Sequence, residues 1–450
     1  MRNIFHALGL HMHQPPGNLR LLLDSNPWEA QQILHAYERP ARYALLYKGV
    51  ARFHVGFSGI LLEQLQDPEN IERCRAYMDL PAMLAAYRAA DNIEILGMGY
   101  YHPLFPLTPE ADWDEQLARG REMVIRTFGR APKGFWPSEM AFSMEMIPAL
   151  VKAGYEYVVV DHVHVRPEGG EPLEPYRPYR ACHGGSCITV VPRDRDLSNA
   201  QESGLDSAWF ANEIRQKTAH SPHPEAPRLV TTWSDGENGG WFRNMDENAS
   251  FFGHYFAPYM EHVRAGEYPA QPIALSDFLA AYPARDEAEV VTGAWNVGNT
   301  SGVDFRQWAG SEEQRQALAT LHALSAAWHQ ADGRRGTLSP KDRQRLSQAR
   351  ELILEAETSC YLFWGNVWLP GLYERLDAAT ALLPRSPEPA GTTNVATARP
   401  APDVEPAVRS AGTAGVTPPA APKTKGTKAG RDPASPSSGK ARNRRSPKSG

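Results

Sequence analysis

Cysteine is scarce in this chain: Cys74, Cys182, Cys187 and Cys360 are the four in 450 residues. So few thiols make no disulfide framework, and a reducing, cytoplasmic setting is the expectation. Cys182 and Cys187 bracket a short ACHGGSC loop, which reads either as half of a metal site with His183 or as a turn carrying two thiols. With no second pair to complete a site, the turn is the favoured reading. Long apolar runs are also missing, and nothing approaches the roughly 20 residues of a membrane span. The start, MRNIFHALGLHMHQPPG, has its apolar run broken by His6 and His11 and carries no small-residue cleavage site, so neither membrane association nor a secretory signal is expected. The closely spaced helical histidine pair of many hydrolytic zinc sites is lacking too. Positive charge is concentrated in one place. Residues 386–450 hold a net +7 of the overall −5, which leaves −12 on residues 1–385. An acidic body excludes a nucleic-acid backbone as the expected partner and suits a neutral ligand such as a sugar.

What is present is enough apolar residue (42%) to bury a large core, with 11 tryptophans besides. From Ser386 onward the chain turns to Pro, Ala, Gly, Ser and Lys, and it is expected to be a disordered basic tail because it cannot bury enough surface to offset the entropy of ordering. Solubilisation is its favoured role; weak attachment to a polyanion around Arg444 is the sharper alternative. Before the tail, seven β-type runs begin at Ile4, Arg52, Ile93, Gly134, Tyr155, Ile188 and Arg228, and helical patterns around Leu62, Met83 and Trp113 lie between them. Such alternation predicts an α/β fold, a parallel (β/α) barrel over residues 1–310, because parallel neighbours need helix-length crossovers. Residues 311–385 read as two or three amphipathic helices, a helical bundle following the barrel, and 386–450 as the tail.

The chemistry-bearing residues fall at the carboxyl ends of the runs. His11, His13 and Gln14 end the first, Tyr101 and His102 follow the third, Glu139 closes the fourth, Asp161 and His162 the fifth, and Asp235 and Glu237 the seventh. In a barrel these ends share one rim. GFWPSE sets Glu139 beside Trp136, and TTWSDGENGGWF sets Asp235 beside glycines, with Trp233 and Trp241 offering flat faces for sugar rings. Two separated carboxylates among tryptophans are the minimum for glycosidic cleavage, one attacking the anomeric carbon and the other protonating the leaving oxygen. Asp235 follows its strand directly, whereas Glu237 would orient it or bind a hydroxyl. The residues alone leave that choice open. HMH and DHVH place histidines at alternate strand positions, so a metal-dependent polysaccharide deacetylase is one alternative; a catalytically silent carbohydrate-binding protein is another.

Taken together, the motifs resemble glycoside hydrolase family 57: HQP at His13–Pro15, IEILGMGYYHPLFPL from Ile93, GFWPSE from Gly134, SDGENGG from Ser234 and TGAWNVGNTSG around Trp295. RDRDLS from Arg193 and AETSCYLFWGNVW from Ala356 are similar to the family's barrel loop and helical segment. The resemblance covers roughly residues 4–383. It implies an incomplete seven-stranded barrel with a helical bundle and a retaining action on α-linked glucans (amylase-like or 4-α-glucanotransferase-like), with no cofactor and no metal. Carried over by position, Glu139 matches the nucleophile and Asp235 the general acid/base. His13, Gln14, His102, Trp136, Trp233, Glu237 and Trp295 are expected around the substrate. The stretch from Glu357 to Asn366 departs from the family's Ser-Asp and Trp-rich pattern, which bears on the outer subsites.

Overall fold

The seven β-type runs are the seven strands of one parallel barrel in the computed structural model, which describes residues 3–219, 221, 225–295 and 305–384. The strands are β1 (Ile4–Met12), β2 (Phe53–Phe57), β3 (Ile93–Leu96), β4 (Gly134–Phe135), β5 (Tyr157–Asp161), β6 (Ser186–Arg193) and β7 (Arg228–Asp235). Parallel registers join β1 to β2, β2 to β3, β4 to β5 and β5 to β6. A single bridge, Gly97 to Phe135, links β3 to β4, and the Asp194 N–H on the Thr231 carbonyl (2.8 Å) links β6 to β7. The ring closes where β7 lies beside β1 over eight pairs, from Ile4 opposite Arg228 to His11 opposite Asp235. β4 stops after two residues because Pro137 has no N–H to continue a ladder. The expected tail and most of the fifth motif, residues 296–304, lie outside the described residues.

Period-two alternation decides what fills the barrel. Ala7 of β1, Leu96 of β3, Tyr157 and Val159 of β5, Val191 of β6 and Leu229 and Trp233 of β7 form one buried cluster with Trp136 and Met98. Gly9 stands opposite Trp233 in register, and a Cβ there would come within 2.0 Å of the indole, so only glycine fits. One step further along the same face the residues become polar: His11, Asp161, Arg193 and Asp235.

Outside the ring, α1 (Glu110–Phe128) packs on the barrel, and α2 (Glu312–Asp332), α3 (Pro340–Ala356), α4 (Ser359–Phe363) and α5 (Leu369–Leu382) form the helical segment. Ser311 and Gln314 close a capping box on α2, while Ser339 caps α3 with Pro340 at its first position. The α2, α3 and α5 helices share their own apolar cluster around Leu321, Trp328, Leu346, Ile353 and Leu372.

A buried polar knot ties this segment to α1. Asp112 accepts from Arg350 Nη1 (2.6 Å), His329 Nε2 (2.7 Å) and Ser325 Oγ (2.6 Å), and Gln116 donates to Glu357 (2.7 Å). Burial works against ionisation of Asp112, yet the hydrogen bonds and the Arg350 guanidinium hold its pKa below the usual value. Glu357, buried beside Asp112, is pushed well up, so the knot keeps one carboxyl neutral and one charged.

The structure corrects the reading of Cys182 and Cys187 as free thiols: they form a disulfide. Tyr179–His183 pairs antiparallel with β6, placing Cys182 directly opposite Cys187, and Gly184 and Gly185, both at positive φ, make the two-residue turn. Such a hairpin holds the two Cα atoms 4.1 Å apart. Cys74 and Cys360 are free. Among the described residues no helix is long and apolar enough to cross a membrane.

Candidate active site

β4 and β7 each deliver a carboxyl group to the same end of the barrel. Asp235 sits on β7 opposite His11 of β1, fixed by the parallel register, and the Gly236 N–H on the His11 carbonyl (2.8 Å) anchors the turn that follows. Glu139 lies just past Pro137 with φ 56°, ψ 19°, a left-handed conformation that costs a non-glycine residue roughly 1–3 kcal/mol. The surrounding structure enforces it: Trp295 N–H donates to the Glu139 carbonyl (2.9 Å), and Trp295 Nε1 donates to its Oε2 (2.8 Å). Besides Glu139, the described non-glycine residues at positive φ are its neighbour Met140 and His102, so backbone strain gathers at this one place.

Both side chains are partly exposed, whereas the groups around them are buried. Burial raises the pKa of Glu139 to about 7, and the charge of Asp235 adds to this, offset by hydrogen bonds from Trp295 and Ser359. Burial also raises Asp235, against a hydrogen bond from Asn238 Nδ2 (2.8 Å) and the charges of Arg193 and Arg243. Burial thus biases both carboxyls toward the protonated form, and the charge of Asp235 reaches Glu139. Glu237 is 2% exposed; its Oε1 accepts the His13 backbone N–H (2.7 Å), its Oε2 has no protein partner, and burial beside Asp235 pushes its pKa well up. Burial thus biases it toward the protonated form, with Oε2 open to a hydroxyl.

Three imidazoles line the other side. His13 and His102 stack at 3.9 Å, and His11 stacks on His102 at 4.8 Å. Burial lowers all three pKa values, to about 3 for His11, so the rings are neutral. The expectation that His11 and His13 share a strand face holds, but the rings lie parallel and all their nitrogens except His11 Nδ1 are engaged by Ser58, Ser359, Cys360 and each other. Among the described residues no group of three or more His, Cys, Asp or Glu is arranged to hold a metal ion.

The expectation that Trp233 offers a flat face to a sugar is overturned by the alternation of β7. Asp235 and Trp233 share the interior face, so the indole lies one layer beneath the carboxylate, wholly buried against Gly9, His54 and Trp136. Trp136 is likewise wholly buried, stacked on His11, and both act as floor. Trp295 stays at the surface of the site, 5% exposed, with the Arg193 guanidinium 5.4 Å over its ring. Gln14 uses its side-chain oxygen on Asn18 and its backbone carbonyl on Gln64, which fixes the turn after β1.

Arg193, Ser359 and Cys360 were not among the expected site residues. Arg193 is buried and bonds Asp161 (3.3 Å) and the Trp233 carbonyl (2.7 Å); its place at the end of β6, two residues after the inward-facing Val191, is the signal that marks it. Ser359 and Cys360 come from α4, in the stretch that the sequence associates with outer subsites, and nothing in it announces a contact with Glu139.

Comparison with known proteins shows the family and the fold. The chain matches the profile of glycosyl hydrolase family 57 over residues 7–263. It is 30% identical over 235 residues to alpha-amylase 1 of Dictyoglomus thermophilum, covering 48% of this chain and 30% of that protein. It is 32% identical over 197 residues to 4-alpha-glucanotransferase of Thermococcus litoralis, covering 44% and 28%. The chain thus spans less than a third of the length of these curated relatives. Among solved structures, the Thermococcus litoralis 4-alpha-glucanotransferase aligns with TM-score 0.65 at 21% identity, covering 86% of this chain and 61% of that one. The family 57 branching enzyme of Pyrococcus horikoshii aligns with TM-score 0.64 at 16% identity, covering 85% and 88%. With the match running over more than half its length, the chain belongs to glycosyl hydrolase family 57.

Proposed function

We propose that the protein is a retaining glycoside hydrolase or transglycosylase acting on α-linked glucans. Glu139 serves as the nucleophile and Asp235 as the general acid/base. The observation that carries this reading is the placement of the two carboxyls at one barrel mouth, Glu139 just past β4 and Asp235 at the end of β7, with the charge of Asp235 reaching Glu139. The names of the relatives, amylases and 4-alpha-glucanotransferases, support the substrate class. In the first step Glu139 Oε forms a bond to the anomeric carbon as the glycosidic C–O bond breaks, and Asp235 gives its proton to the leaving oxygen. In the second, Asp235 takes a proton from water or from a sugar hydroxyl, which attacks the anomeric carbon and releases Glu139. His13, Gln14, His102, Glu237 and Trp295 bound the space that the reacting sugar would fill, with Glu237 Oε2 free to meet a hydroxyl. Trp136 and Trp233 support it from below.

Turnover of maltoheptaose, amylose and pullulan by the wild type, Glu139→Gln and Asp235→Asn tests this. A loss of about 10³-fold or more in each variant is expected. Activity within a few fold of wild type in either variant removes that residue from the mechanism, and activity lost to a chelator points to the deacetylase alternative instead.

A further inference from the structure

Two neutral rings and one hydroxyl form a hydrogen-bond chain that ends on Glu139. Ser359 Oγ donates to Glu139 Oε1 at 3.4 Å, and Ser359 Oγ and His102 Nδ1 are 2.8 Å apart. A serine has one proton to give. If it goes to the carboxylate, His102 must donate from Nδ1, so His102 Nε2 is bare. His102 Nε2 lies 3.0 Å from His11 Nε2, so His11 carries its proton on Nε2 and leaves Nδ1 bare. His11 Nδ1 is indeed a buried nitrogen without a hydrogen-bond partner. With Glu139 ionised, this assignment of tautomers satisfies each of these contacts, and each donor points toward Glu139.

The segment carrying Ser359 is held with matching care. Thr358 bridges Pro103, the Ser359 N–H donates to the His102 carbonyl (3.1 Å), and His102 itself has φ 61°. Glu357, one residue before Thr358, is fastened to α1 through Gln116. Ser359 is wholly buried. Its partners are all at this site, so the hydroxyl has no separate packing task.

We propose that Ser359 is a positioning residue, which, oriented by His102 and through it by His11, presents its hydroxyl to Glu139, so that the helical segment completes the barrel's reaction centre. This rests on the functional reading above only for the claim that Glu139 reacts. The 3.4 Å contact is long for O–H···O, as hydrogen bonds to reacting groups often are before substrate arrives. The donated hydrogen bond favours the ionised carboxylate, in opposition to burial and Asp235. Cys360 also faces Glu139 and Glu237, with its thiol pushed up to about 12, and so carries no charge that competes.

The test compares wild type, Ser359→Ala and Ser359→Thr, with glutamate ¹³C-labelled at the side-chain carboxyl and Glu139→Gln identifying the Glu139 resonance. Ser359→Ala is expected to raise the Glu139 titration midpoint by about half a pH unit or more and to lower kcat on maltoheptaose about 10-fold with KM within about twofold. Ser359→Thr, which keeps the hydroxyl, should restore the midpoint. His102→Gln, whose amide does not reach the Ser359 side of the ring, should raise it as Ser359→Ala does, and serves if the alanine variant does not fold. An unchanged midpoint in the alanine or His102→Gln protein overturns the proposal. A shifted midpoint in a protein whose wild type turns over no glucan keeps the positioning role and removes the functional reading.

Discussion

Replacing Trp295 by Phe removes one hydrogen bond and leaves most of the ring. In the native protein Trp295 Nε1 donates to Glu139 Oε2 at 2.8 Å, good geometry to a charged acceptor in a site largely closed to water. Such a bond contributes about 1.5–3 kcal/mol. Taking about 2 kcal/mol, the ionised form of Glu139 loses roughly 1.5 pH units of preference, and its pKa rises from about 7 toward the mid-8 region. At pH 7 the fraction of carboxylate falls from about a half to about 3 per cent, so kcat/KM should fall roughly 15-fold. The acid limb of the pH–rate profile should move up by the same interval. The backbone bond from Trp295 N–H to the Glu139 carbonyl persists, so the left-handed turn stays in place. The assay is steady-state maltoheptaose cleavage between pH 4 and 10, with melting followed in parallel because the smaller ring leaves a gap beside Trp136. A profile that superimposes on wild type, or a loss under twofold, would refute the idea that Trp295 tunes this carboxylate.

Other outcomes follow from the same geometry. Gly9→Ala should destabilise the fold by about 1–3 kcal/mol or more, read as a lower midpoint in urea, because the added methyl meets the Trp233 indole inside the barrel. Glu139→Gln should stabilise the protein at pH 8 but not at pH 4. A carboxyl whose folded pKa stands above its unfolded value favours the fold fully below about 4.5 and loses that contribution as pH rises through about 7, a difference of up to about 3 kcal/mol. Asp112→Asn leaves the buried Arg350 with Glu115 as its remaining carboxylate partner and should cost about 1.5–3 kcal/mol, with activity falling as α4 loosens over the site. Cys182→Ser should lower thermal stability by up to about 2 kcal/mol, as expected for a short closed loop, while maltoheptaose turnover stays within about twofold.

Much of the barrel was legible because its signals are local. Each β-type run has β-branched or aromatic residues bounded by turn residues, and each of the seven begins within about three residues of its expected place. Glu139 and Asp235 were legible for the same reason, as polar residues closing apolar runs. What escaped depends on which way a side chain faces once neighbouring strands are in register. Trp233 looked like a sugar platform because it stands two residues from Asp235, yet that spacing is what puts it beneath the carboxylate. Alternation along the seventh run already contained that answer. The hairpin was legible in HGGS, whose two glycines are a two-residue turn that sets the flanking cysteines opposite each other. Ser359 was not legible at all: 220 residues separate it from Glu139, and the polar knot on Asp112 that brings α4 to the barrel is assembled from three helices.

Trapping the covalent intermediate tests the central claim most directly. Asp235→Asn, incubated with α-maltosyl fluoride, whose fluoride leaves without needing an acid, should accumulate a glycosyl ester because the base for the second step is missing. Digestion and mass spectrometry should find the sugar on the peptide containing Glu139, and Glu139→Gln combined with Asp235→Asn should show none. Labelling of a different carboxylate, or fluoride release by Asp235→Asn with inverted maltose as the product, would contradict the account.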